Sequence, residues 1–151
     1  MASLEEQKIV FWELFDEILK EKGEPFKIAY IHQVTKEITT YAAVNRKWSF
    51  NANAIDLTLS FEKKQLRIDL YVSSPMLMKK FLDLKNEINS MISLPIDWDD
   101  GKRVLRPSIY LDFMPEDVED YRYVIEESLP IISEFIEVAK AYAREDEFFD
   151  F

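Results

Sequence analysis

The chain contains no cysteine. Thiol catalysis, structural disulfides and cysteine-based zinc sites are therefore excluded. A single histidine, His32, excludes any metal cage built from several imidazoles. No apolar run approaches the roughly 18 residues that span a bilayer, and the opening MASLEEQK is acidic and has no apolar signal region. The expected setting is cytoplasmic, with no membrane partner. No internal repeat or low-complexity linker divides the 151 residues, a length typical of one domain. The sequence thus predicts a single domain over 1–151, with 143–151 forming an acidic-aromatic tail.

What the chain does have is core-forming material and one-sided charge. Hydrophobic residues make up 48% and aromatics 14%, enough for one sizeable core without a metal or disulfide. The net charge is −10, and it is unevenly placed. Residues 1–114 carry 16 Lys/Arg against 17 Asp/Glu, whereas residues 115–151 carry 3 against 12. An acidic C-terminal surface repels phosphate backbones, so direct nucleic-acid binding through it is not expected.

Hydrophobic period places the elements. Ser3 and Glu6 read as a capping box for a helix from about Leu4 to Lys22, with Phe11, Leu14, Phe15 and Ile18 on its inner stripe and Gly23 as its stop. Residues 26–54 are β-rich in KIAYIHQV and ITTYAAV, which predicts one or two strands, followed by a loop through NRKWSFNANA. Residues 55–72 alternate apolar and polar in two runs joined by Glu62-Lys63-Lys64-Gln65, a hairpin with one apolar face. Pairing Phe61 with Leu66 sets Ser60 opposite Arg67 and Thr58 opposite Asp69. A second helix starts at Ser74 and Pro75 and runs to about Ser93. A second hairpin follows, with arms near Ile96–Trp98 and Val104–Phe113 and a turn near Asp100-Gly101. Pro107 marks its second arm as an edge strand, or as bulged at that point. Pro115 opens a last helix whose apolar stripe passes through Pro130, where a kink is expected at 127–130. The fold class is α+β: a mostly antiparallel sheet built from hairpins, with an N-terminal helix, a middle helix and a long kinked C-terminal helix on its apolar face.

The segment LRIDLYV (Leu66–Val72) is followed by a helix rich in Lys, Phe and Leu, a Trp-containing segment, an Arg-containing strand and a long acidic helix. With FWELFDEILKEKG near the start and Lys47-Trp48, this order resembles the family called domain of unknown function 4268 over about residues 8–140. The resemblance implies a stand-alone member of a family whose domains also form the C-terminal part of restriction-nuclease-like proteins. It carries over no catalytic residue.

Several residue groups are candidate sites. Glu62-Lys63-Lys64 matches half of a metal-dependent nuclease signature, and also suits a charged turn. Asp97, Asp99 and Asp100 put carboxylates near Gly101, but without EF-hand order they read first as a hairpin turn. His32 has the one side chain that titrates near neutrality, yet no Ser or Cys partner pattern accompanies it. Asp56, Thr58 and Ser60 with Arg67, Asp69 and Tyr71 share the non-core side of the first hairpin, as a candidate binding face or a solvated sheet surface. Phe148, Phe149 and Phe151 in the acidic tail form a candidate partner-docking motif, or fold back on the domain.

No coherent catalytic or metal-binding set emerges, and no cofactor is implied. The expectation is a non-catalytic protein-binding or regulatory domain with a protein partner, linked through the resemblance to restriction or defence systems. One alternative is an acidic nucleic-acid mimic, with Glu116, Asp117, Glu119, Asp120, Glu126, Glu127, Glu134 and Glu137 as a phosphate-like row. A second is a Mg²⁺-dependent phosphodiester-cleaving enzyme.

Overall fold

A computed structural model describes residues 3–24, 28–34, 39–44, 55–62, 64–72, 74–101, 103–114 and 116–142. Helix α1 (Leu4–Lys22) leads into strands β1 (Ile28–Val34), β2 (Thr39–Val44), β3 (Ile55–Glu62) and β4 (Gln65–Val72). Helices α2 (Pro75–Asp83) and α3 (Lys85–Met91), strands β5 (Asp97–Asp100) and β6 (Leu105–Asp112), and helix α4 (Val118–Tyr142) follow. The strands form one antiparallel sheet in the order β1-β2-β3-β4-β6-β5. The α+β class and hairpin construction expected from the sequence are therefore present, and the β-rich stretch after α1 supplies two strands. Residues 45–54, where a loop is expected, lie outside the described residues, as do Pro115 and the 143–151 tail.

Local chemistry explains the element ends. Ser3 Oγ accepts from the Glu6 backbone N–H at 3.2 Å, and its own hydroxyl donates to the Glu6 carboxylate at 3.1 Å. At the other end Gly23 has φ 63°, with Gly23 N–H donating to Lys20 O and Glu24 N–H to Leu19 O. That is the Schellman arrangement, in which a left-handed residue lets orphan carbonyls find donors. Ser74 caps α2, with Pro75 in its first turn.

The middle helix differs from the expected single segment. It breaks at Leu84 (φ −105°, ψ 19°), whose N–H is shared between Lys80 O and Phe81 O. Such a tightened turn needs no Gly or Pro, so the apolar period passes through it unaltered. Helix α4 starts at Val118 and is helical without interruption through Pro130. Pro130 is exposed, and its missing N–H leaves the Glu126 carbonyl without its usual helical donor.

The core lies between one face of the sheet and the helices. Leu59 and Phe61 of β3, Leu66, Ile68, Leu70 and Val72 of β4, and Leu105, Ile109 and Leu111 of β6 are all buried against it. An aromatic cluster joins α1, the sheet and α4. Phe11 meets Trp12, Phe61, Phe113 and Tyr121 at ring-centroid distances of 5.0–5.5 Å, mostly edge to face. Lys8 is buried with its ammonium 5.7 Å from the Phe61 ring centre.

Strand β6 is not an edge. It lies between β4 and β5, so the edge position inferred from Pro107 is corrected. The proline acts locally instead. Cα partners of β4 and β6 run from Gln65↔Asp112 to Asp69↔Ser108 and resume at Val72↔Leu105. Leu70 and Tyr71 have no ladder partner in β6, opposite the stretch where Pro107 offers no N–H. The separation is equal on both strands, so the ladder is opened without a bulge.

Candidate functional site

The polar residues of β4 alternate with its core residues, so Arg67, Asp69 and Tyr71 stand on the face turned away from the helices. The β3–β4 register is the one the sequence predicts: Ser60↔Arg67, Thr58↔Asp69 and Asp56↔Tyr71. The structure thus brings all six candidate face residues onto paired positions. The side chains of Asp56, Thr58 and Ser60 lie outside the described set.

On the other side of β4, β6 contributes Arg106, Ser108 and Tyr110, and β5 contributes Asp97 and Asp99 through the pairs Asp97↔Ser108 and Asp99↔Arg106. These residues were not connected to the face from sequence alone. The alternation Leu105, Pro107, Ile109, Leu111 against Arg106, Ser108, Tyr110, Asp112 is the signal that would have found them.

The assembled array is partly closed to water. Asp69 and Ser108 are 0% exposed and Arg67 is 8% exposed. Arg67 Nε lies 3.0 Å from Asp69 Oδ2 and 3.4 Å from Ser108 Oγ, and an Arg67 terminal nitrogen lies 3.4 Å from Asp99 Oδ2. Asp99 itself is open, with a side-chain exposure of 53%. A buried carboxylate needs such a partner, because desolvation alone would drive it to neutrality. The open, solvated sheet surface weighed as one sequence reading does not describe the middle of this face.

Two cation–aromatic pairs flank the Asp69–Ser108 centre in opposite senses. Arg67 of β4 lies 5.8 Å from the Tyr110 ring of β6, and Arg106 of β6 lies 4.8 Å from the Tyr71 ring of β4. The arrangement reads Arg-x-Asp-x-Tyr along β4 against Tyr-x-Ser-x-Arg down β6. The array sits on strands, which fix side-chain direction better than a loop does.

The other candidates fall elsewhere. Asp97, Asp99 and Asp100 belong to strand β5 rather than to the turn, which begins at Gly101, whose N–H donates to Val104 O at 2.9 Å. Trp98 anchors this strand to α3, donating from Nε1 to Asn89 Oδ1 at 2.9 Å beneath the Lys85 ammonium. Among the described residues, no group of three or more His, Asp or Glu is arranged to hold a metal ion. Glu62 ends β3 and Lys64 is exposed in the turn, while Lys63 lies outside the described residues. His32 occupies β1 opposite Tyr41, and its side chain is outside the described set. Phe148, Phe149 and Phe151 also lie outside the described residues.

Several carboxylates of the α4 row have local duties. Asp117 accepts from Glu119 N–H, and Asp120 accepts from Met114 N–H at 2.6 Å. Glu126 pairs with Lys22 and Arg122, and Glu134 accepts from the Ser93 N–H and hydroxyl. The charge of Glu127, with its hydrogen bond to the phenol, raises the pKa of Tyr123 above its ordinary value. Glu21 and then Glu126 hold the Arg122 guanidinium still more firmly charged.

Comparison of the chain with protein-family models, with curated proteins and with solved structures returned no match.

Proposed function

We propose that the protein is a non-catalytic binding module that engages a protein partner through the sheet face turned away from its helices. The observation that carries this reading is the fixed polar array on β4, β5 and β6. Two guanidiniums stacked on tyrosines flank a fully buried Asp69 and Ser108. Preorganised Arg and Tyr side chains lose little conformational freedom on binding and are enriched among residues that dominate interface energies. From the resemblance to domain of unknown function 4268 read in Leu66–Val72 and the order of its flanking elements, we further propose that the partner belongs to a restriction or defence system. A cytoplasmic setting belongs to the same proposal.

The test is capture of partners by the tagged full chain from its own host, at low salt and at about 0.5 M, where surface charge is well screened. A defined partner retained at high salt, and lost from a Tyr71→Ala variant that still folds, supports the reading. A nuclease or other DNA-handling partner released by salt and indifferent to Tyr71→Ala supports the acidic-mimic alternative instead. Metal-dependent phosphodiester cleavage by the purified chain would overturn both.

A further inference from the structure

Among the described residues of the outer sheet face, Arg106 is a cation without a counter-charge. Arg106 is half-buried, and among the described residues its Nε–H has no acceptor and its guanidinium no carboxylate. Its register partner on β5 is Asp99, but that carboxylate is turned to Arg67. Arg67 is thereby shared between two acids, Asp69 and Asp99, while Arg106 rests, among the described residues, on the Tyr71 ring alone at 4.8 Å. This happens where Pro107 opens the β4–β6 ladder, the one stretch of that pairing at which Leu70 and Tyr71 lack a ladder partner.

A guanidinium taken partly out of water and left unpaired is costly, and an arriving anion relieves that cost. We infer that Arg106, oriented by Tyr71, is a receptor for a single carboxylate supplied by a ligand. The planar guanidinium can present a two-donor edge that matches a carboxylate's two oxygens. The surroundings select charge. Asp97 and Asp99 flank the site on β5, and the chain carries −10 overall. One uncompensated positive charge matches a monoanion, whereas a phosphate dianion would meet repulsion from the neighbouring aspartates. The carboxylate belongs either to a small organic acid or to an acidic side chain or chain end of a polypeptide.

The experiment follows the backbone amides of Tyr71, Asp99 and position 106 by nuclear magnetic resonance in the ¹⁵N-labelled full chain. Sodium acetate is titrated against sodium chloride and inorganic phosphate at equal ionic strength, and a short peptide containing one glutamate is added as a third probe. The expected result is a saturable shift with acetate, with a Kd on the order of 1–100 mM as befits one small contact. Chloride, which lacks a two-oxygen edge, and phosphate, kept mostly dianionic by titrating at about pH 8, should give no saturable shift at these amides. The acetate shift should vanish in Arg106→Gln and be retained, weakened, in Arg106→Lys, with both variants keeping the wild-type spectrum elsewhere. Much tighter binding of the peptide than of acetate assigns the site to a polypeptide ligand, and equal binding assigns it to a small acid. Saturation by phosphate but not acetate, no saturation by any carboxylate, or an acetate shift that survives Arg106→Gln overturns the inference. No partner is needed for this measurement, so its failure is separate from failure of the binding-module reading.

Discussion

Asp69 is a buried carboxylate beside the Arg67 guanidinium, and deleting it takes the nearer of two carboxylates from that buried cation, leaving the 3.4 Å contact to Asp99. Asp69→Ala should destabilise the protein by about 3–5 kcal/mol, the usual loss when one member of a buried pair is deleted. Asp99→Asn touches the same arginine from a half-exposed position, so its loss should stay near 0–1 kcal/mol. Urea unfolding of the two variants checks the contrast, and similar losses from both would show that Arg67 does not depend on Asp69. Tyr121 is a second residue with a signed consequence. Burial first, and the charge of Glu116 second, raise its phenol pKa above the ordinary value near 10. As pH passes about 10, the unfolded chain loses a proton that the folded protein keeps. The stability this group contributes is complete below that value and is lost as pH climbs toward the folded pKa. The unfolding midpoint temperature should therefore fall more steeply above pH 10 in the wild type than in Tyr121→Phe.

At the scale of elements, two positions test how helix ends and interiors are built. Gly23 has open space around its missing Cβ, so Gly23→Ala isolates the backbone effect of φ 63°. A loss of about 1 kcal/mol is expected from placing a side chain in the left-handed region. Pro130→Ala should raise stability by roughly 1–3 kcal/mol, because it restores a donor inside a helix that is already continuous. No gain on thermal unfolding would mean that the helix has adapted fully to its proline. The β3–β4 register was legible in the sequence because strict alternation leaves a strand pair only one way to bury Leu59, Phe61, Leu66 and Ile68 together. The break at Leu84 was not legible, since a shared hydrogen bond changes neither composition nor period. The place of Pro107 was not legible for a related reason: a missing N–H can be tolerated by opening one ladder locally, not only by placing the strand at an edge. The burial of Arg67 and Asp69 was also hidden, because it depends on β6 and β5, brought alongside by a crossover that follows two helices.

For the whole molecule, one continuous core joins the helices to the sheet through β3, β4 and β6. Chemical unfolding should accordingly follow a single transition, with aromatic fluorescence and far-ultraviolet circular dichroism coinciding. Separate transitions for the two probes would contradict a shared core. The net charge of −10 leaves α4 acidic, yet part of that charge is spent on contacts with α1, the α3–β5 connection and the start of α4 itself. Those contacts give several of the carboxylates an architectural role that a freely presented row would not have.

The sheet order also has a consequence for biosynthesis. Because β6 lies between β4 and β5, the ribosome delivers β4, α2, α3 and β5 before the strand that seals the second side of β4 exists. Until residue 112 has emerged, Gln65–Val72 offers an unsealed row of amides and carbonyls on a highly β-prone segment. Such a row is a template for pairing with any other nascent or damaged chain. A product cut short before Leu105 would keep it permanently, so incomplete copies of this protein should be less soluble than the finished chain.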